Sequence, residues 1–320
     1  MTGQEPGGSL IVVGEVRTGL VLNSHSMRTA SVEALLDIVP GQRVRSYRRP
    51  VQRSVSADLL HGVDCPVFTG SGARTRGIGT LAARACVVGG RVLQGSTRAV
   101  LARGGERRLA WAHYLERPGV IEVSGRGRDG DLPTRFLAGG GPGALDPGAV
   151  SEWLTGRVQN SALLDHRPAF RARRSRLRWS ACLAGDRFEG AFTLVDDELR
   201  TLRLSVPPHL HADPEELTAL CEDLALHDWL LGTVASVADR ACTGSGSGAA
   251  LRRLRPAIDH LVHLWMPGAA VASGLLDAWD LLESCPGLTR QWDACVNRIR
   301  DHMALRALEM MAEPPGQADD

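Results

Sequence analysis

The chain has 320 residues, 43% of them hydrophobic, and a formal net charge of +1. That length suffices for two cores of ordinary size, since single cores stop growing near ~250 to 300 residues, and that apolar content excludes disorder over most of the chain. All 37 basic residues are arginine, which excludes chemistry that needs a lysine, such as a Schiff base or the lysine of a phosphate-binding loop.

In chain order, the first segment reads as β-rich. Short runs with β-branched residues, Leu10–Val13, Leu20–Leu22, Val44–Tyr47, Ala85–Val88, Arg98–Ala102 and Val120–Val123, are punctuated by glycine and proline. One helix is predicted there, Met27–Val39, with Ser26 as its cap and Pro40-Gly41 as its stop. The glycine-rich stretch Ala138–Gly143 has the composition of a hinge.

A central helix follows, opened by Asp146 with Pro147 at its first position and running to about Leu164. Three strands come next, Leu177–Leu183, Phe188–Val195 and Leu199–Val206, with turn residues at Gly185-Asp186 and Asp196-Asp197. Alternation puts Leu177, Trp179 and Ala181 on one face of the first, so an antiparallel meander is the natural reading. Asp213, Pro214 and the acids Glu215 and Glu216 open an amphipathic helix that ends near Cys242. A Gly/Ser tract, Thr243–Gly248, precedes helices predicted at 249–265, 270–284 and 288–312, each carrying one tryptophan (Trp265, Trp279, Trp292) as a core or partner-facing anchor.

The expected class is therefore α+β: a β-rich basic domain (1–140), an α+β meander domain (141–242) and a helical acidic segment (249–313) able to pack on the central domain. Charge follows this division. Residues 1–145 hold 19 Arg against 11 Asp/Glu, residues 146–212 hold 10 against 8, and residues 213–320 hold 8 against 17. A basic front and an acidic back can attract each other within one molecule, head to tail in a homo-oligomer, or through different partners.

Seven cysteines (65, 86, 182, 221, 242, 285, 295) show no CxxC spacing and are expected as free, mostly buried thiols. The start of the sequence has no basic stretch or long apolar run of the kind that marks a signal peptide, so a cytoplasmic protein with no membrane partner is expected.

No complete catalytic motif is present, and the candidate residues divide into four groups. Cys65, beside Asp64, is a possible nucleophile with His61 or His113 as its base; an inert thiol is the alternative. Arg74 and Arg76 lie in a glycine-rich tract, Gly70–Gly79, that could cradle an anion or simply turn between strands. His209 and His211, with His227 on the following helix, have the chemistry of metal ligands without a recognised metal motif, and no metal or cofactor is expected. The densest positive run, Arg167, Arg171, Arg173, Arg174, Arg176 and Arg178, suits an acidic protein partner or a nucleic acid backbone; the alternative is an edge strand guarded by charge.

The stretches Val13–Thr18, Gly62–Pro66, Gly89–Gly95, His113–Leu115 and Leu220–Leu231 resemble an uncharacterised actinobacterial protein family of about this length, known from Streptomyces-type bacteria. The resemblance implies a gene cluster that also encodes a variant P-loop protein and a methyltransferase-like protein, and hence partners among the cluster's products. It implies no activity. The expected function is a non-enzymatic interaction or scaffold component; an enzyme with a Cys- or His-centred site and a nucleic-acid-binding protein acting through Arg167–Arg178 are the alternatives.

Overall fold

A computed structural model gives the fold and describes residues 10–67, 75–105, 107–125, 131–139, 141, 143–210, 212–242 and 247–312. Among the described residues ten strands form one mixed sheet: β1 (Ile11–Leu20), β2 (Arg45–Tyr47), β3 (Arg53–Val55), β4 (Leu59–Pro66), β5 (Arg76–Val88), β6 (Val92–Arg103), β7 (Val120–Ser124), β8 (Ser175–Cys182), β9 (Glu189–Leu194) and β10 (Leu199–Ser205). Their order is β2-β3-β5-β7-β6-β1-β8-β10-β9, with β4 also paired to β5. The α+β class holds, and β1 joins the N-terminal strands to the central ones by pairing with β6 on one side and β8 on the other.

The long strand β5 explains the branching. Its second half pairs with β6 through the Gly89-Gly90 turn, whose φ angles of +59° and +62° are those of a tight hairpin turn that right-handed strand twist favours. Beyond Ala82 the two strands diverge. There β7 enters between them, antiparallel to β5 and parallel to β6, while β4 borders β5 on its other side.

The three strands after the central helix are present, but their pairing differs from a simple meander. β10 is parallel to β8 and antiparallel to β9, so the Asp196-Asp197 turn closes a hairpin whereas the chain leaving β8 passes out to the far edge before returning. The physical reason lies in the apolar faces. Leu202 and Leu204 on β10 are fully buried and take the inner place beside Trp179, while β9 is largely exposed and suits an edge.

Helices cover both faces of the sheet. On one lie α1 (Thr29–Leu36), which packs on β3 and β5, α4 (Pro147–Gln159), which packs on β5, β6 and β1, and the short α3 (Asp131–Leu137), which packs on β8 and β10. Ile11, Val13, Leu81, Ala83, Leu93 and Leu154 belong to this core. A short α2 (Trp111–Leu115) packs against β5. On the other face the 29-residue α5 (Pro214–Cys242) crosses β1, β6 and β8. Behind it stand α6 (Ser247–Leu261), α7 (Leu276–Ser284) and α8 (Leu288–Ala312). The tryptophans pin this layer: Trp265 and Trp292 stack with ring centres 4.1 Å apart, and Trp279 is buried. Among the described residues no helix is long and apolar enough to cross a membrane.

Candidate functional site: a cleft between the sheet edge and helix α5

A hollow of about 520 Å³ lies where the β2–β3 hairpin meets the first turns of α5 and the segment 264–272. Sequence chemistry sets each wall. Asp213 Oδ1 accepts from the Glu216 amide at 2.7 Å while Glu216 Oε2 accepts from the Asp213 amide at 3.3 Å, a reciprocal cap that fixes the start of α5. The floor is apolar, from Val51, Val55, Val88, Leu226 and Leu264, and the exposed Tyr47 and Met266 stand at the rim.

Behind that floor is a buried ion cluster. Glu222, fully enclosed on α5, receives two parallel hydrogen bonds from Arg84 (Nε–Oε1 2.7 Å, Nη2–Oε2 2.9 Å), one from Arg53 at 2.5 Å and one from the Ser96 hydroxyl. Burial alone would raise its pKa, but the Arg84 and Arg53 charges and these hydrogen bonds hold it down to about 2. Toward the rim Glu215 binds Arg45 at 2.7 Å and Arg84 at 3.3 Å. Arg49, also lining the cleft, has no carboxylate partner among the described residues.

Asp223, next to Glu222, lines the cleft and holds its outer loop, accepting from the Gly268 amide at 2.8 Å. Burial raises its pKa. One turn on, His227 is enclosed by the ring edges of Trp265 and Trp279, with Nδ1 2.7 Å from the Asp223 carbonyl oxygen and its Nε2 without a partner. Nδ1 is thus the protonated nitrogen, and burial lowers the imidazole pKa despite the neighbouring Asp223. The pair fastens α5 to the loop that closes the cleft.

The residues singled out in the sequence fall elsewhere. Asp64 and Cys65 lie on β4, a strand absent from the predicted elements, so their side chains point to opposite faces. Asp64 binds Arg76 and Arg108, whereas His113 binds Glu122 at 2.7 Å. Asp64 and Glu122 both pair with Ile78 from opposite sides of β5 and so share a face, the one on which α2 carries His113. Cys65 therefore has the sheet between it and His113. His61 shares the Cys65 face but lies four residues away along an extended strand, roughly 13 Å, against Trp153. Burial and then Asp64 raise the Cys65 pKa, the opposite of thiolate activation. Arg76 is occupied by Asp64, and Arg74 lies outside the described residues.

The arginine run does not sit on an edge, because β8 runs between β1 and β10. Arg178 binds Glu15 at 3.0 Å and Arg173 binds Asp197 at 2.8 Å, while Arg171 is exposed. His209 is exposed on a single 3-10 turn, His227 is in the core, and His211 lies outside the described residues; among the described residues no three metal-ligating side chains converge. Among the described thiols, Cys86 and Cys221 are buried, Cys65 and Cys182 partly so, and Cys285 is exposed.

Sequence reasoning missed Arg53, Arg84, Glu222 and Asp223. A signal existed in the opposite charges of the front and back segments, which here meet inside the molecule through Arg45, Arg53 and Arg84 on the strands and Glu215 and Glu222 on α5, while Arg200 of the middle segment binds Asp228. No protein-family model, curated protein or solved structure matches the chain.

Proposed function

We propose that the chain is a binding protein whose cleft receives a small, mainly apolar ligand with a polar or anionic head. The observation that carries this reading is the cleft itself. Its volume of about 520 Å³ falls within the ~300 to 1,000 Å³ usual for small-molecule sites, and it sets an apolar floor beside charged walls that include Arg45, Arg49, Asp213, Glu215 and Glu216. Arg49, unengaged at the rim, is the group to meet an anionic head. The test is a ligand-observed NMR screen of small aromatic and aliphatic carboxylates against the full chain, repeated on Ala269→Trp, which places an indole in the mouth. Hits that vanish in the variant while its melting temperature holds support the reading; hits that persist, or none, overturn it.

A second reading, a component that meets protein partners, is favoured by one observation: Leu305, Leu308 and Met311 near the end of α8 are 61%, 59% and 73% exposed. A cytoplasmic location and membership of the actinobacterial family belong to the same proposal. Light scattering of the chain, alone and with the products of its gene cluster, tests it. A chain that stays monomeric and binds none of them counts against it.

A further inference from the structure

A second hollow, about 230 Å³, lies on the opposite face of the sheet between α4 and the start of β8. Its charge is unusual. Arg17 on β1 stands directly across from Arg176 on β8 in antiparallel register, so two like charges face each other on neighbouring strands, an arrangement that costs stability unless a counter-charge relieves it. A third arginine joins them: the Arg174 side chain lies across Gly19, where a Cβ would come within 3.1 Å of its Cγ.

Only part of that charge is compensated. Arg17 binds Glu15 and Glu152, each at 3.3 Å, and donates to the Gly148 carbonyl oxygen at 3.1 Å. The remaining Glu15 oxygen is taken by Arg178. Among the described residues neither Arg174 nor Arg176 forms an ion pair with a carboxylate, Asp196 acting on Arg176 only at longer range, and Arg176 Nε is buried without any hydrogen bond. Glu198 lines the hollow too, yet its contact with Arg176 is through the backbone, its carbonyl oxygen accepting from the Arg176 amide at 2.7 Å. Thr155 and Gln159 on the α4 wall have their own partners, the Glu152 carbonyl for one and the Leu20 carbonyl and Leu22 amide for the other.

We propose that this hollow is an anion site that takes a phosphoryl group through Arg174 and Arg176. Guanidinium forks match phosphate oxygens in charge and geometry, and a bound dianion supplies the missing counter-charge for facing arginines. The space exceeds one phosphate ion, so a small phosphate monoester fits as well as free phosphate. The site is independent of the cleft described above. Its small volume, about 230 Å³ between α4 and the sheet, favours a small molecule over a nucleic acid strand.

Calorimetric titration of the full chain with inorganic phosphate and with glycerol phosphate, at constant ionic strength, tests the proposal. The expected result is saturable binding of one equivalent, weakened at least tenfold in Arg174→Gln and in Arg176→Gln. Arg173→Gln, whose native partner is the exposed Asp197, leaves it unchanged, and Glu198→Gln tightens it by removing a like charge from the rim. Tighter binding of the monoester identifies a phosphorylated small molecule as the source; tighter binding of inorganic phosphate identifies the free ion. Absence of saturable binding to a chain that melts cooperatively, binding indifferent to both arginine variants, or preference for a single-stranded oligonucleotide with steep salt dependence overturns the proposal.

Discussion

Arg84 grips Glu222 with two parallel hydrogen bonds across the junction of sheet and helix, joining residues 138 positions apart in the chain. Both side chains are almost wholly buried, at 4% and 0% exposure. Breaking such a pair from one side strands a charge in the interior. Glu222→Leu leaves Arg53 without its ion-pair partner and Arg84 with only the 3.3 Å contact to Glu215, and is expected to cost about 3 to 5 kcal/mol. Arg45→Ala removes an ion pair whose partners are about half exposed and is expected to cost under ~1 kcal/mol. Urea unfolding of the two variants measures the contrast, and equal losses would refute it.

Acid should weaken the protein in two stages. His227 has a lowered pKa, so below about pH 6.5 the unfolded chain takes up a proton that the folded chain refuses, and stability falls with pH. Glu222 is held at about 2; its contribution is complete above the unfolded value of about 4.3 and is lost as pH drops from there toward 2. Asp223 and Asp228, whose pKa values burial raises, act in the opposite direction and recover part of the loss. In His227→Phe the decline between about pH 7 and 5 should become shallower, the lowered pKa values of His61 and His260 keeping the remainder, while the lower one persists, as read from urea midpoints across pH.

Gly148→Ala should destabilise the fold through Glu15. A Cβ there would lie 2.5 and 2.6 Å from the two carboxylate oxygens, so the first turn of α4 or the Glu15–Arg17–Arg178 group must shift. A loss of about 1 to 3 kcal/mol is expected, seen as a lower melting temperature; an unchanged one would show that the helix end moves freely.

At the β5–β6 turn, Gly90→Ala should be harsher than Gly89→Asn. The Gly90 φ is +62° and a Cβ would meet the Met27 backbone, which cannot yield cheaply, while at Gly89 the atom in the way is the end of the Leu264 side chain. Asparagine also tolerates that backbone region. Because Leu264 lines the cleft, the Gly89 variant should weaken ligand binding more than it lowers the melting temperature.

Much of the fold was legible from periodicity and punctuation. Trp179, Leu202 and Leu204 alternate as buried strand residues do, and Asp213-Pro214 opened its helix where expected. What escaped was long-range. β4 has no apolar alternation, since Asp64 and His61 replace aliphatic residues on it, and it is a strand because β5 offers it a partner. The place of β10 between β8 and β9 depends on which faces α5 buries, a choice made by helix residues tens of positions away. The candidate site suffered the same way. Arg53, Arg84 and Glu222 carry no motif, and their meeting is a property of the folded chain alone. The residues that sequence chemistry did highlight, Cys65 and His113, sit on a strand and a short helix that the sheet keeps apart.

The position of β1 has a consequence for how the chain reaches its native state. Its two neighbours are residues 92–101 and 175–182, so during synthesis β1 acquires one partner early and stays open on its other flank until residues 175–182 have emerged. Contacts of such wide separation make folding slow, and an unpaired Ile-Val-Val flank invites association with other nascent chains. Refolding of this protein should therefore be rate-limited by the arrival of β8, and its yield should fall with protein concentration.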